Sequence, residues 1–515
     1  MAINFIPNDP AVLNASPMRQ VAPRPNRPST RAGFNFFNTA PEGLFNPGTP
    51  QFLFWQTREA ALLAIEVWEN LNGNLSRWAR SSNRRKLDLL QDDGDQLNAF
   101  YNGENLSFFH HTTGNKTTFS GASTDVVAHE AGHAFLDTVR PELFDSTITE
   151  QGAFHEAFGD CIALMVGLFD RDTRVALLNA SANLAAANFL EATAEDLSAG
   201  IKRALGASHP AAAPRQARNN FKFQLPTTLP TSGPPPVLTR EIHSFGRIFS
   251  GCFYDTIRNI FNASTNRNEA ALQKAARTAG KLLIAGAKKA PVTTRFFQAV
   301  GRAMVLEDQI TNASANRQAI TDAFARHNIA LGSSAMLVAR ATLAGAAPRL
   351  TGKQPLAAAT VRDLRERIAA APGSKFSFNV LEIGNEKVTE VVHQREVSLK
   401  GLDSRLKDVV AIALEPVLIK PEGGMAAIAS VLPDANTSTD EVHAFVETLL
   451  EHKRIAFNGG SGGSSKRRTS KKGFAAVAAS EELTDIPTHT VVSRGSKKVL
   501  TRIRFLCGDC YHHHS

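Results

Sequence analysis

Apolar residues recur at helical spacing through much of the chain. Leu62, Ile65, Val67, Trp68 and Leu71 line one face of residues 59–71, which predicts an amphipathic helix. A stretch rich in Gly, Asn and Ser follows, carries Phe100, Phe108, Phe109 and Phe119, and reads as strands. From Thr124 the period turns helical over 125–138, 153–168 and an Ala-rich run at 175–205. A Pro-rich crossover at 210–236 interrupts it, and helical patterns resume at 243–260, 269–287, 293–304 and 315–328. Beyond Gly332, residues 375–383 and 387–397 alternate with strand period, 440–453 is amphipathic, and 488–492 and 498–506 again read as strands. These patterns predict an α+β fold in four parts. They are a Pro-rich extension (1–50), a mixed lobe (51–160), a helical lobe (161–332) and an appended α/β region (333–515). The small polar junction Ser333-Ser334 after a glycine suggests that the last part is removable.

Composition narrows the class. The chain has 515 residues, 43% apolar and 20% charged, enough for about three domains with full-sized cores. No run of 18 or more apolar residues predicts a membrane span. The first 31 residues hold six prolines but neither a basic start nor a continuous apolar segment, so no Sec signal is expected. That predicts a protein that stays in the cytoplasm or leaves by a non-Sec route. The net charge is +9, yet residues 459–515 hold ten Lys and Arg against four Asp and Glu, so the basicity belongs to the tail. Its densest run, within 459–473, follows a Gly/Ser stretch and reads as a flexible solvated insertion, which makes nucleic acid an unexpected partner. Cys161 and Cys252 fall in apolar helical patterns and predict core residues. Cys507 and Cys510, followed by His512, His513 and His514, read as a frayed tail in preference to a redox or metal pair.

The chemistry concentrates between Val127 and Asp160. In His129-Glu130-Ala131-Gly132-His133 the two histidines are four apart, so on a helix both imidazoles aim at one point with Glu130 beside it. Glu156, on the next helical pattern, would supply a third ligand and leave one position of a tetrahedral Zn²⁺ open, as a catalytic site requires. Asp160, one turn further, faces the same side and suits a carboxylate that accepts the ring N–H of a ligating histidine.

Over about residues 52–331 the chain resembles the thermolysin-like (gluzincin) metallopeptidases. The likeness rests on Asn98-Ala99-Phe100-Tyr101-Asn102-Gly103, Ser123-Thr124-Asp125-Val126-Val127-Ala128, Gln151-Gly152-Ala153-Phe154-His155-Glu156 and Ile242-His243-Ser244-Phe245-Gly246-Arg247, in the family's order. The resemblance implies a two-lobed fold with a zinc helix in the first lobe and a mainly helical second lobe. It implies His129, His133 and Glu156 as zinc ligands, Glu130 as general base and His243 as the residue that stabilises the transition state. It further implies that Asn98 and the Ala99 backbone pair with an extended peptide, and that Val126 lines the apolar pocket for the residue after the cut.

The chain departs from the family at several positions. His155 stands where the family has Asn, and Thr147 where it has a tyrosine that helps hold the oxyanion. Asp125 matches one calcium ligand, but Gly167 stands where a second is expected, so the usual double-calcium site should be missing or rebuilt. Only Glu241 lies close enough in sequence to be an acidic partner for His243, and no arginine aligns with the family's substrate clamp. The expected function is a zinc endopeptidase acting on peptides or proteins. The alternative is a catalytically weak zinc-binding relative that acts through a partner of region 333–515; the presence of Glu130 favours the enzyme, because zinc affinity does not need it.

Overall fold

A computed structural model describes residues 2–332, 349–352, 358, 362, 376–383, 386–419, 435–457 and 486–507. The predicted basic insertion at 459–473, Cys510 and His512 to His514 lie outside the described residues.

The described helices are α1 (Pro50–Asn72), α2 (Thr124–Val139), α3 (Thr149–Phe169), α4 (Arg171–Ala180), α5 (Glu195–Leu205), α6 (Ile242–Asn262), α7 (Glu269–Lys289), α8 (Phe296–Asn312), α9 (Arg317–Arg326) and α10 (Ala435–Glu451). With several sheets they make a mixed helix-and-sheet architecture. α1 starts at Thr49, whose side chain accepts the Phe52 N–H, with Pro50 at the first turn where no amide partner is lost. Its Trp68 stacks on Phe135 of α2 at 4.9 Å, so the first predicted stripe is the face that seats the metal helix.

α2 and α3 approach unusually closely, and two glycines permit it. A Cβ on Gly132 would sit 2.8 Å from the Gly159 Cα, and one on Gly159 would sit 2.6 Å from Nδ1 of His129. Both glycines belong to the two motifs, so the backbone contact that brings His129 and His133 to Glu156 is written between the ligands themselves. α3 is long and apolar enough to cross a membrane by composition, but 94% of that stretch is buried inside the fold, as a core helix would be.

The Ala-rich run at 175–205 does not form one helix. α4 ends at Ala180, a two-residue strand forms at Ala192–Thr193, and Leu184 and Ala194 take positive φ before α5 begins. The break has a local cause: the side chains of Ser181, Asn183 and Asn188 accept the backbone N–H groups of Ala186, Ala185 and Leu190 and so compete with helical bonding.

A five-stranded sheet has the spatial order Phe505–Leu506, Ala99–Tyr101, Asn105–Phe108, Lys86–Leu90 and Gly33–Phe36. Its outermost strand thus comes from the far end of the chain, within the expected appended region, and pairs antiparallel with Ala99–Tyr101. Other described residues of that region build a seven-stranded sheet that includes the long pair Glu386–Ser398 and Val409–Ile419, with α10 against it. Ile148, at the N-terminus of α3, is buried in the same apolar cluster as Val397, Val409, Val442, Phe445 and Leu500. Arg295, just before α8, pairs with Glu150 of α3 and Glu441 of α10. Phe505 is fully buried in the main core. Its burial alone is worth about 1.5–3 kcal/mol, enough to hold the last strand in place.

Candidate metal centre and cleft

Four side chains converge between α2 and α3. Nε2 of His129 lies 3.3 Å and Nε2 of His133 3.7 Å from the same oxygen, Oε2 of Glu156. The two imidazole planes are nearly perpendicular, at 87°, with centroids 4.7 Å apart, so both nitrogens point to one spot from different directions. His129, Glu130 and His133 also present donor atoms within 4.8 Å of one another. All four residues are fully buried, yet neither Nε2, neither oxygen of Glu156 and neither oxygen of Glu130 has a hydrogen-bond partner. Unpartnered buried polar atoms are costly, and a shared metal ion is the arrangement that satisfies these. The residues therefore fit a metal ion bound by two imidazoles and a carboxylate.

The rings are aimed from behind. Nδ1 of His129 sits 2.9 Å from Oδ1 of Asp160, the carboxylate position read from the sequence. Nδ1 of His133 sits 2.8 Å from Nδ1 of His155. If His133 ligates through Nε2 as a neutral ring, its Nδ1–H donates to His155, whose own proton then lies on Nε2 and faces Asp137 at 3.9 Å. Tyr101 Oη–H and Arg80 donate to the other oxygen of Asp137 and fix that carboxylate. His155 thus stands directly behind His133, a contact that sequence reasoning did not assign.

Charge is distributed to match. Burial, with the Glu156 carboxylate adding to it, pushes Glu130 up to about 8, so this carboxyl binds a proton near neutrality. Burial opposes ionisation of Glu156, but the facing His243, His133 and His129 rings outweigh it and hold the group well below its ordinary range. Burial and Arg215 oppose a charge on His129, yet the Asp160 and Glu156 carboxylates win and hold it up at about 9. His133 is driven far down by burial. A metal cation would take the place of these protons, since ligating imidazoles are neutral.

His243 enters from the N-terminus of α6. Glu241 caps that helix by accepting the His243 and Ser244 N–H groups, and the same carboxylate meets Nδ1 of His243 at 2.8 Å. It is therefore the acidic partner of this histidine as well as its helix cap. Nε2 of His243 lies 3.1 Å from Glu156 and 2.6 Å from the Leu506 carbonyl oxygen. Burial opposes a charge, but Glu156 and Glu241 raise the ring well above the ordinary histidine range, and with both nitrogens facing acceptors it is a cationic donor.

Arg215, from the strand Arg215–Gln216, is a basic residue at the site that no motif revealed. Its guanidinium donates to both oxygens of Asp160, at 2.9–3.3 Å, and to the Cys507 carbonyl. Asn98 is buried just before the strand Ala99–Tyr101, its side chain accepting the Ala99 N–H. The Ala99 carbonyl accepts an N–H at 2.8 Å, and the donor is Cys507 of the same chain. A cavity beside Cys507 is lined by Leu197, Ile201, Ala211, Arg215 and His243. Val126 is buried in the main core and is not among its lining residues. Thr147 donates to the Ile412 carbonyl. Cys507 is buried, as are Cys161 and Cys252, and not frayed.

Asp125 meets Asp9 of the N-terminal extension and Glu195 of α5 in a second acidic group whose oxygens lie within 4.8 Å. Burial raises all three carboxyls, and repulsion from the neighbouring carboxylates adds to it for Asp9 and for Glu195, which reaches about 10. Neither Asp9 nor Glu195 carried a motif signal, because 116 and 70 residues separate them from Asp125. Compared with known proteins, the chain matches no protein-family model, and no curated protein matches it.

Proposed function

We propose that this protein is a zinc-dependent endopeptidase of the thermolysin type, with the two-lobed catalytic unit that the sequence resemblance implies. The observation that carries the reading is the convergence of His129, His133 and Glu156, with the unpartnered Glu130 carboxylate beside them, next to a strand edge that binds extended chain. Zinc held by those three ligands would acidify a water and polarise a peptide carbonyl. Glu130 binds a proton near neutrality in the metal-free chain; a cation beside it would displace that proton, and the carboxylate would then accept the water proton and deliver it to the leaving nitrogen. His243, cationic and oriented by Glu241, donates to the carbonyl oxygen as negative charge grows on it. Arg215 would hold the carbonyl one residue further on, and the Ala99 carbonyl would accept the N–H of that same residue, as they do for Cys507.

The test combines metal analysis with casein digestion. One zinc per chain is expected, and Glu130→Gln should keep that zinc while hydrolysis drops at least about 10²-fold, the lower end of a general base's contribution. Undiminished digestion by this variant would refute the mechanism.

A further inference from the structure

We propose that the Leu506–Cys507 peptide bond is itself a substrate of the site, so that the chain carries an internal processing point at its C-terminal strand. The inference rests on the peptidase reading and names one bond that the site cuts.

The Leu506 carbonyl and the N–H and carbonyl of Cys507 are each engaged as a bound peptide's would be. Phe505 and Leu506 extend the sheet antiparallel to Tyr101 and Phe100. The Cys507 N–H continues the ladder to Ala99. The Leu506 carbonyl points at Nε2 of His243, and the Cys507 carbonyl at Arg215. His243 is also 3.1 Å from Glu156, the carboxylate on which His129 and His133 converge, so the Leu506 carbonyl and the unpartnered donor atoms share one place. Phe505 stacks on His155 at 4.0 Å and on His133 at 4.7 Å. These three polar contacts and the two ring stacks together hold the Leu506–Cys507 bond against the groups that would act on a peptide.

The chemistry closes on these atoms. Water adds across the bond: its hydroxyl joins the Leu506 carbonyl carbon, the C–N bond to Cys507 breaks, and the remaining proton passes through Glu130 to the Cys507 nitrogen. The products are a chain ending at Leu506 and a peptide beginning at Cys507. Until the cut, Ala99 and Arg215 are occupied and the cleft is closed to other peptides. The cavity beside the small Cys507 side chain leaves room for a larger residue at that position in substrates bound afterwards.

Two measurements on the full-length chain decide the matter. In metal-free Glu130→Gln protein, hydrogen exchange reads the cleft without any catalysis: the Cys507 amide should exchange at least about 10²-fold more slowly than in a free peptide. In wild type, zinc addition should shorten the intact mass by residues 507–515 at a rate independent of protein concentration. Glu130→Gln and Cys507→Pro, the latter lacking the N–H that Ala99 accepts, should stay whole. A Cys507 amide that exchanges as in a free peptide overturns the proposal. So does a protected amide with a zinc-loaded chain that stays intact while Phe505→Gly, which loosens the strand, digests casein; the peptidase reading then survives. If zinc-loaded Phe505→Gly digests nothing and wild type stays whole, both readings fall.

Discussion

Replacing Arg215 by alanine probes the pair on which both the metal ligand and the cleft depend. The guanidinium donates three times to Asp160, whose side chain is only 6% exposed, and Asp160 in turn orients His129. Burial opposes the Asp160 charge, but Arg215 and His129 hold its pKa below the ordinary value of 3.8. A depressed folded pKa contributes stability above the unfolded value, and that stability is lost as pH falls through the folded one. At pH 7 the contribution is therefore complete. Removing one partner of a buried pair strands the other charge and costs about 3–5 kcal/mol. His129 remains as a partner for Asp160, which places the expected loss at the lower end, about 3 kcal/mol. Because the pair is in contact, Arg215→Ala with Asp160→Asn should cost less than the two single changes together, by about 0.5–3 kcal/mol. Urea unfolding of the metal-free protein at pH 7, followed by tryptophan fluorescence, reads both quantities. A loss under about 1 kcal/mol for Arg215→Ala, or strict additivity in the double variant, would refute the reasoning.

Other outcomes follow from the same geometry. His243→Ala should lower kcat and kcat/KM together by about 10²–10³, with KM and bound zinc little changed; a normal kcat would mark the residue as structural. His155→Ala removes the acceptor behind His133 and should weaken zinc binding about 10–100-fold in a chelator competition, whereas unchanged affinity would show that His133 needs no such support. Glu195, raised to about 10, binds a proton in the folded chain that the unfolded chain releases near its ordinary value of 4.5. Between those values, without added divalent cations, stability should therefore fall with rising pH by up to about 1.4 kcal/mol per unit, and Glu195→Gln should flatten the slope; equal slopes would exclude the effect.

Local periodicity carried most of the helices. Residues 125–138 and 153–168 read as helices because their buried faces repeat within a few turns, and α2 and α3 span them. The run at 175–205 misled for an equally local reason: its alanines favour helix, but Ser181, Asn183 and Asn188 bond their own backbone and stop it. Within the site, His129, Glu130 and His133 were legible because one helix turn spaces them. Asp160 was legible because it stands one turn past Glu156.

What the sequence by itself determined is thus the chemistry that lies within a helix or two: the histidine pair, its adjacent carboxylate, and Glu156 with Asp160 one turn on. Tertiary structure alone decided which distant groups meet them. Arg215 reaches Asp160 across 55 residues, and Cys507 reaches Ala99 across about 400, in a strand pairing that no local pattern encodes. Periodicity reports which face of an element is buried, whereas a partner far along the chain is chosen by how those faces pack, a property of the whole fold.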